Sequence, residues 1–197
     1  MKRSILLYSG GLDSTLLLYK FKEEIKECIY VKYGSLHSKY ELECAKYHTN
    51  KIGIPLRVIN ISEVFSNDNS SSLLNNKKDN KVESNNVVSF RNIILVTHIL
   101  PYVKAQSCDK VLIGSNKSDY ASFMDCRDTF YKAINSCLQL CDSFIIKVET
   151  PLIKLSKEDI INEAKAYKIV NTRTCYSDTV EPCGKCASCL GLKEGVS

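Results

Sequence analysis

The 197-residue chain carries 27 Lys and Arg against 22 Asp and Glu, a net charge of +5, with 44% apolar and 25% charged residues. That balance suits one domain with a small appendage, a size that folds without disulfide staples. No apolar run approaches the ~18 residues of a membrane span. The lysines are scattered, which favours a small anionic ligand such as a nucleotide over a direct nucleic-acid surface. Lys2 and Arg3 lead straight into a run too short for the apolar region of a secretory signal, so a cytoplasmic location is expected. In that compartment ten cysteines point toward metal or chemistry more than toward disulfides.

Residues 4–8 form a short apolar run closed by a glycine pair, which predicts a buried strand, and residues 13–22 continue without a breaker as a helix. A strand at 27–33, a helix at 39–52 stopped by Gly53, and a strand at 56–61 complete two βαβ steps. The alternation predicts an α/β fold with a parallel sheet and right-handed crossovers. Residues 66–86 are rich in Asn, Ser, Lys and Asp and read as a long mobile loop. A helix at 90–106, a strand at 110–114, a helix at 126–141 and a strand at 143–148 follow. Ser156 and Asp159 then have the spacing of a capping box, opening a last helix that runs to about residue 167.

The first strand-to-helix turn reads Ser9-Gly10-Gly11-Leu12-Asp13-Ser14-Thr15. Glycines let backbone approach a ligand, and the unpaired N–H groups of a helix start attract phosphate. Ser9, Ser14 and Thr15 add hydroxyls, and Asp13 is suited to hold Mg2+ against phosphate oxygens. A plain connecting turn would not need so many hydroxyls. The string lacks the lysine of the P-loop and the G-x-G-x-x-G of dinucleotide folds. It resembles, position by position, the PP-loop of the ATP pyrophosphatases. That resemblance implies a Rossmann-like nucleotide-binding domain over residues 1–170, ATP and Mg2+ as cofactors, and cleavage of ATP between its α- and β-phosphates to adenylate a substrate oxygen.

Cys175, Cys183, Cys186 and Cys189 give C-x7-C-x2-C-x2-C in polar surroundings, within a tail at 171–197. Four thiolates suit the tetrahedral preference of structural Zn2+, and an iron–sulfur cluster uses similar spacing. The spacing leaves both open. Cys28, Cys44, Cys108, Cys137 and Cys141 fall at apolar positions and read as small buried side chains, and Cys126 reads as packing between Asp125 and Arg127. His37, His48 and His98 show no carboxylate or second histidine at a ligand spacing. Only His37, beside Tyr33-Gly34, is a site candidate.

Taken together the chain resembles the QueC family, the 7-cyano-7-deazaguanine (preQ0) synthases. The matching stretches run in order: Tyr33-Gly34, His37 and Glu41-Leu42; Arg91-Asn92; Asn116, Asp119-Tyr120, Asp125-Cys126-Arg127 and Phe130; Thr150-Pro151-Leu152, Leu155, Lys157 and Ile160; then Thr174-Cys175-Tyr176 and the terminal cysteines. The chain departs from the family at Ser35, Ser89-Phe90, Phe123-Met124 and Gly191-Leu192. The resemblance implies substrates 7-carboxy-7-deazaguanine and ammonia, an acyl adenylate, then an amide, then a nitrile. It also implies a homodimer and a zinc-binding tail. Arg91 and Arg127 are the candidates to pair with carboxylate or phosphate through a planar fork. Asp119 and Asp125 are candidates for the guanine-like N–H groups or for magnesium, with Asn92 and Asn116 beside them. Three other readings stay open: a related ligase joining the adenylated acid to another amine such as a protein terminus, a PP-loop tRNA sulfur transferase, and a nucleotide-binding module without turnover.

Overall fold

The computed structural model describes residues 3–68, 70–74, 86–186 and 188–190. Five strands, β1 (Ser4–Leu7), β2 (Ile25–Lys32), β3 (Leu56–Asn60), β4 (Lys110–Leu112) and β5 (Lys147–Glu149), form one sheet in the order β3-β2-β1-β4-β5. All four pairings are parallel. Helices α1 (Leu12–Lys20), α2 (Ser38–Ile52), α3 (Arg91–Ala105), α4 (Asp128–Cys141) and α5 (Lys157–Ala166) make the crossovers.

The strand period of two divides the core. Ile5, Ile29, Val111 and Val148 bury one face of the sheet with Val96, Ile99 and Val103 of α3 and Tyr131 and Ile134 of α4. Leu6, Cys28, Tyr30 and Leu112 bury the other with Leu16 and Leu17 of α1, Ala45 of α2 and Ile160, Ile161 and Ala164 of α5. Because both faces are covered, the strands read as continuous apolar runs. Each fully buried Leu or Ile is worth roughly 1.5–3 kcal/mol of transfer free energy. The strand order runs outward from β1 toward β3 on one side and toward β5 on the other. The carboxyl end of β1 is therefore a topological switch point, where open parallel sheets leave a crevice.

Several expectations need correction. Residues 143–146 are outside β5: Asp142 Oδ1 accepts the Phe144 amide at 2.9 Å and turns the chain there. Residues 124–126 form a separate 3-10 turn, so α4 begins at Asp128. In the expected mobile segment, Leu73 is buried in the core and its carbonyl accepts the Leu36 amide at 3.0 Å. Its apolar side chain anchors residues 70–74, while residues 69 and 75–85 lie outside the described residues. Cys137 and Cys141 are exposed, since the four-residue spacing puts both on the solvent face of α4.

Candidate active site

A groove of about 250 Å³ opens at the switch point. Its floor is the turn from β1 to α1, and it is lined by Ser9, Gly11, Leu12, Asp13 and Ser14. Gly10 holds φ +79°, and a Cβ there would meet the Glu41 carbonyl oxygen at 2.3 Å, because α2 backs directly onto the turn. The hydroxyls fix the loop from within. Ser9 Oγ accepts the Gly11 amide at 3.2 Å and lies 3.0 Å from Ser14 Oγ. Thr15 is fully buried, donates to the Gly11 carbonyl at 2.7 Å and meets the Tyr8 hydroxyl at 3.1 Å. Gly10 and Thr15 therefore support the turn from behind and are not among the lining residues.

Two carboxylates face this floor. Asp13 is paired with Lys157, the first residue of α5, at 2.8 and 3.0 Å. Lys157 is one of the residues that match the family, but nothing in its own segment marks it as the partner of Asp13. Asp119 is pushed up to about 6 by burial and then by the negative charge of Asp13, against the pull of Lys157. Asn116 is fully buried and forms a capping box with Asp119: its Nδ2 donates to Asp119 Oδ2 at 2.9 Å, and its Oδ1 accepts the Ser118 amide at 2.8 Å. Asn116 is absent from the lining and positions Asp119 instead.

Arg91 and Asn92 open α3 and line the same groove. The Arg91 guanidinium sits 5.8 Å from the centre of the Tyr33 ring. Burial opposes its charge, but Tyr33 and Asp125 outweigh that and hold it protonated. Asn92 Nδ2 donates to the Asp125 carbonyl at 3.2 Å, and its amide reaches Asp125 Oδ2 at 3.4 Å. Asp125 thus ties the start of α3 to the 124–126 turn and does not line the groove. Cys126 does line it, with its thiol pushed up to about 12 by burial and by Asp119 and Asp125, so it stays protonated. Arg127 is exposed and donates to the Tyr120 carbonyl at 3.3 and 3.2 Å, away from the groove. Of the two candidate arginines, only Arg91 faces the cavity.

His37 corrects the reading of the histidines. Its Nε2 lies 3.3 Å from Glu41 Oε1, one helical turn on, and both residues line the groove. The Tyr30 hydroxyl donates to the other Glu41 oxygen at 3.0 Å. His48 is buried as well, beside the Tyr19 hydroxyl at 3.1 Å, while His98 is exposed.

The remaining wall comes from the tail, through Arg173, Thr174, Tyr176 and Ser188. The Arg173 amide donates to the Gly10 carbonyl at 3.0 Å. The sulfurs of Cys175, Cys183, Cys186 and Cys189 lie within 4.8 Å of one another. Tetrahedral zinc with ~2.3 Å bonds needs sulfurs ~3.8 Å apart, and Cys175 and Cys186 stand at 4.0 Å. Burial opposes a thiolate at Cys175, but the Ser177 hydroxyl and the Cys183 and Ser177 amides bring it down to about 6. The four thiols fit a metal ion.

A model of the family described as "Queuosine biosynthesis protein QueC" matches residues 3–197. The 7-cyano-7-deazaguanine synthase of Caldicellulosiruptor bescii is 31% identical over 95% of this chain and 89% of its own length. The synthase of Clostridium novyi is 30% identical over 98% of this chain and 93% of its own. Among solved structures, the U34-tRNA thiolase NcsA of Methanococcus maripaludis, which carries a [4Fe-4S] cluster, matches with a TM-score of 0.58 at 14% identity. The alignment covers 98% of this chain and 63% of that thiolase. At that identity the likeness is one of fold. The expected Rossmann-like parallel α/β architecture is the one found. No helix among the described residues is long and apolar enough to cross a membrane.

Proposed function

The chain belongs to the QueC family, and on that premise we propose that its groove converts 7-carboxy-7-deazaguanine and ammonia to 7-cyano-7-deazaguanine at the expense of ATP. One observation carries the reading. A single cavity is lined by the Ser9–Ser14 turn on one side and by Arg91, Asn92 and Asp119 on another. The turn suits the departing pyrophosphate, since backbone N–H groups at a helix start need no reorganisation to meet charge. Lys157, paired with Asp13, balances that carboxylate at the turn. Arg91, held charged over Tyr33, suits the substrate carboxylate and aims it at the α-phosphate.

The sequence of steps follows from the bonds to be changed. The carboxylate attacks the α-phosphate, giving an acyl adenylate and pyrophosphate. Ammonia displaces AMP to form the amide, and a second ATP activates the amide oxygen so that its loss as AMP leaves the nitrile. Asp13 and Asp119 are the residues that would hold Mg2+, whose charge neutralises phosphate oxygens, and the upward push on Asp119, from burial first and then from Asp13, is one that a cation between the two acids would relieve. The four cysteines would hold Zn2+, which supplies folding energy to the tail.

The test is incubation with ATP, magnesium, ammonium and 7-carboxy-7-deazaguanine, followed by mass spectrometry. The nitrile, AMP and pyrophosphate are expected, and Asp13→Ala is expected to lose more than about 100-fold of AMP formation with its melting curve unchanged. ADP and phosphate as products overturn the PP-loop chemistry. Adenylation without use of ammonia, rescued by a protein amine, replaces the synthase with the conjugating ligase.

A further inference from the structure

His37 immediately precedes α2, is 3% exposed and lines the groove. Its Nε2 faces the Glu41 carboxylate at 3.3 Å, and Glu41 is in turn fixed by the Tyr30 hydroxyl. A carboxylate at that spacing keeps a proton on Nε2 and leaves Nδ1 as a lone-pair acceptor. Among the described residues nothing donates to Nδ1, and it is sealed from bulk solvent. Thr174, contributed to the same groove by the tail, leaves its Oγ1 unmatched in the same way. Tyr176, two residues on, packs against His37 with ring centres 5.8 Å apart. Buried polar atoms in native proteins nearly always find partners. Three unmatched polar atoms belong to residues of this groove, the Arg173 Nε donor, the Thr174 hydroxyl and His37 Nδ1, and the last two can both accept, which marks the place of an occupant that brings N–H or O–H donors. Both atoms are closed even to a single water, so an occupant that reaches them is small and enters as these side chains shift.

We propose that His37 and Thr174 form the amine subsite of the groove, His37 Nδ1 accepting one N–H of ammonia and taking that proton as the nitrogen attacks the acyl adenylate. The proposal rests on the synthase reading above. In this step a C–N bond forms at the acyl carbon, and the bond from that carbon to the AMP phosphate oxygen breaks, its electron pair leaving on AMP. One proton passes from nitrogen to Nδ1, and the Glu41 carboxylate balances the imidazolium charge. Thr174 Oγ1 accepts a second N–H, which turns the nitrogen lone pair toward the carbon.

The test compares three readouts in wild type, His37→Asn and Thr174→Val: pyrophosphate exchange dependent on 7-carboxy-7-deazaguanine, amide formation from ammonium, and hydroxamate formation from hydroxylamine. Hydroxylamine is a stronger nucleophile that is unprotonated near neutrality, so it depends less on a base. In His37→Asn the ammonium reaction is expected to fall about 100-fold or more, the scale of a lost general base. Exchange stays within about threefold, and the hydroxylamine reaction falls less than about tenfold. Thr174→Val is expected to raise the KM for ammonium about tenfold with little change in kcat, the loss of one hydrogen bond. Should His37→Asn fail to fold, Glu41→Gln must show the same split. Equal losses in all three readouts, or an unchanged ammonium rate, overturn the subsite while leaving the synthase intact. A wild type that shows no exchange overturns the synthase reading itself, and the subsite falls with it.

Discussion

Between Tyr8 and Thr15 the chain is fixed by short-range bonds: Ser9, Ser14 and Thr15 hydroxyls meet backbone groups of their own turn, and α2 closes against Gly10 from behind. Between Arg173 and Leu190 the described residues hold almost no regular structure. There the Arg173 guanidinium donates to the carbonyls of Ser177, Thr179 and Val180 at 2.5–3.0 Å, and four thiols gather on one point. Both regions wall the same groove, yet one is held by its own backbone and the other by a buried cation and four thiols that fit a metal ion. Damage to them should therefore differ in kind. The turn has local bonds to lose, whereas the tail has a common centre whose loss releases everything at once.

The largest effect is expected at that centre. Cys186→Ser removes one of four ligands, and a structural zinc supplies about 10 kcal/mol or more of folding free energy to such a tail. We expect one zinc per chain by metal analysis in the wild type, far less in the variant, and a melting temperature lower by more than about 10 °C or insoluble protein. Loss should spread to the turn, because the Arg173 amide bonds to the Gly10 carbonyl and the Arg173 carbonyl oxygen lies 3.3 Å from where a Cβ on Gly11 would sit. An unchanged melting curve would erase the contrast between the two walls, and stoichiometric iron would change the identity of the metal.

A smaller loss is expected at the turn. Gly10→Ala places a side chain at φ +79° and a Cβ 2.3 Å from the Glu41 carbonyl oxygen, a backbone atom that cannot swing aside. Left-handed backbone costs roughly 1–2 kcal/mol and overpacking roughly 1–3 more, so about 3 kcal/mol should be lost in urea unfolding. Gly53→Ala is the control, with φ +76° and nothing within 4 Å of the new methyl, and should lose only about 1 kcal/mol. Equal losses at the two glycines would show that α2 yields to the turn, and that its short-range bonds alone hold it.

The same contrast separates what is legible in the sequence from what is not. The turn's glycines and hydroxyls stand in seven consecutive residues, so their chemistry can be read from the order of residues alone. The alternation of strands and helices predicts a parallel sheet, but nothing local encodes that β1 lies between β2 and β4 and so marks the crevice. Lys157 and Asp13 are 144 residues apart, and no pattern within either segment joins them. The Asn116–Asp119 box escapes a sequence pattern because it closes a short 3-10 turn that leaves no helical period. Arg127 looks like a site cation by its neighbours. Its exposed guanidinium instead donates to the Tyr120 carbonyl.

Asp119 offers the smallest and most pointed probe, because it faces the turn's Asp13 but belongs to neither wall. Burial, and then the charge of Asp13, push its carboxyl from 3.8 up to about 6. Between roughly pH 4 and 6 the folded chain therefore holds a proton that the unfolded chain has released. The unfolded state binds fewer protons there, so stability falls as pH rises through that window and stays reduced at neutral pH. Asp119→Asn cannot ionise, yet its amide oxygen can still accept from Asn116, which keeps the turn capped. Without added magnesium the variant should be as stable as the wild type at pH 4 and more stable at pH 7, by at most about 2 kcal/mol for a partly exposed group. Added magnesium should then stabilise the wild type at pH 7 and leave Asp119→Asn nearly unmoved, since only the former has a second carboxylate whose repulsion the cation removes. A variant less stable than wild type at pH 7 would mean that Lys157 already neutralises both acids, and that the groove needs no second cation to keep its carboxylates together.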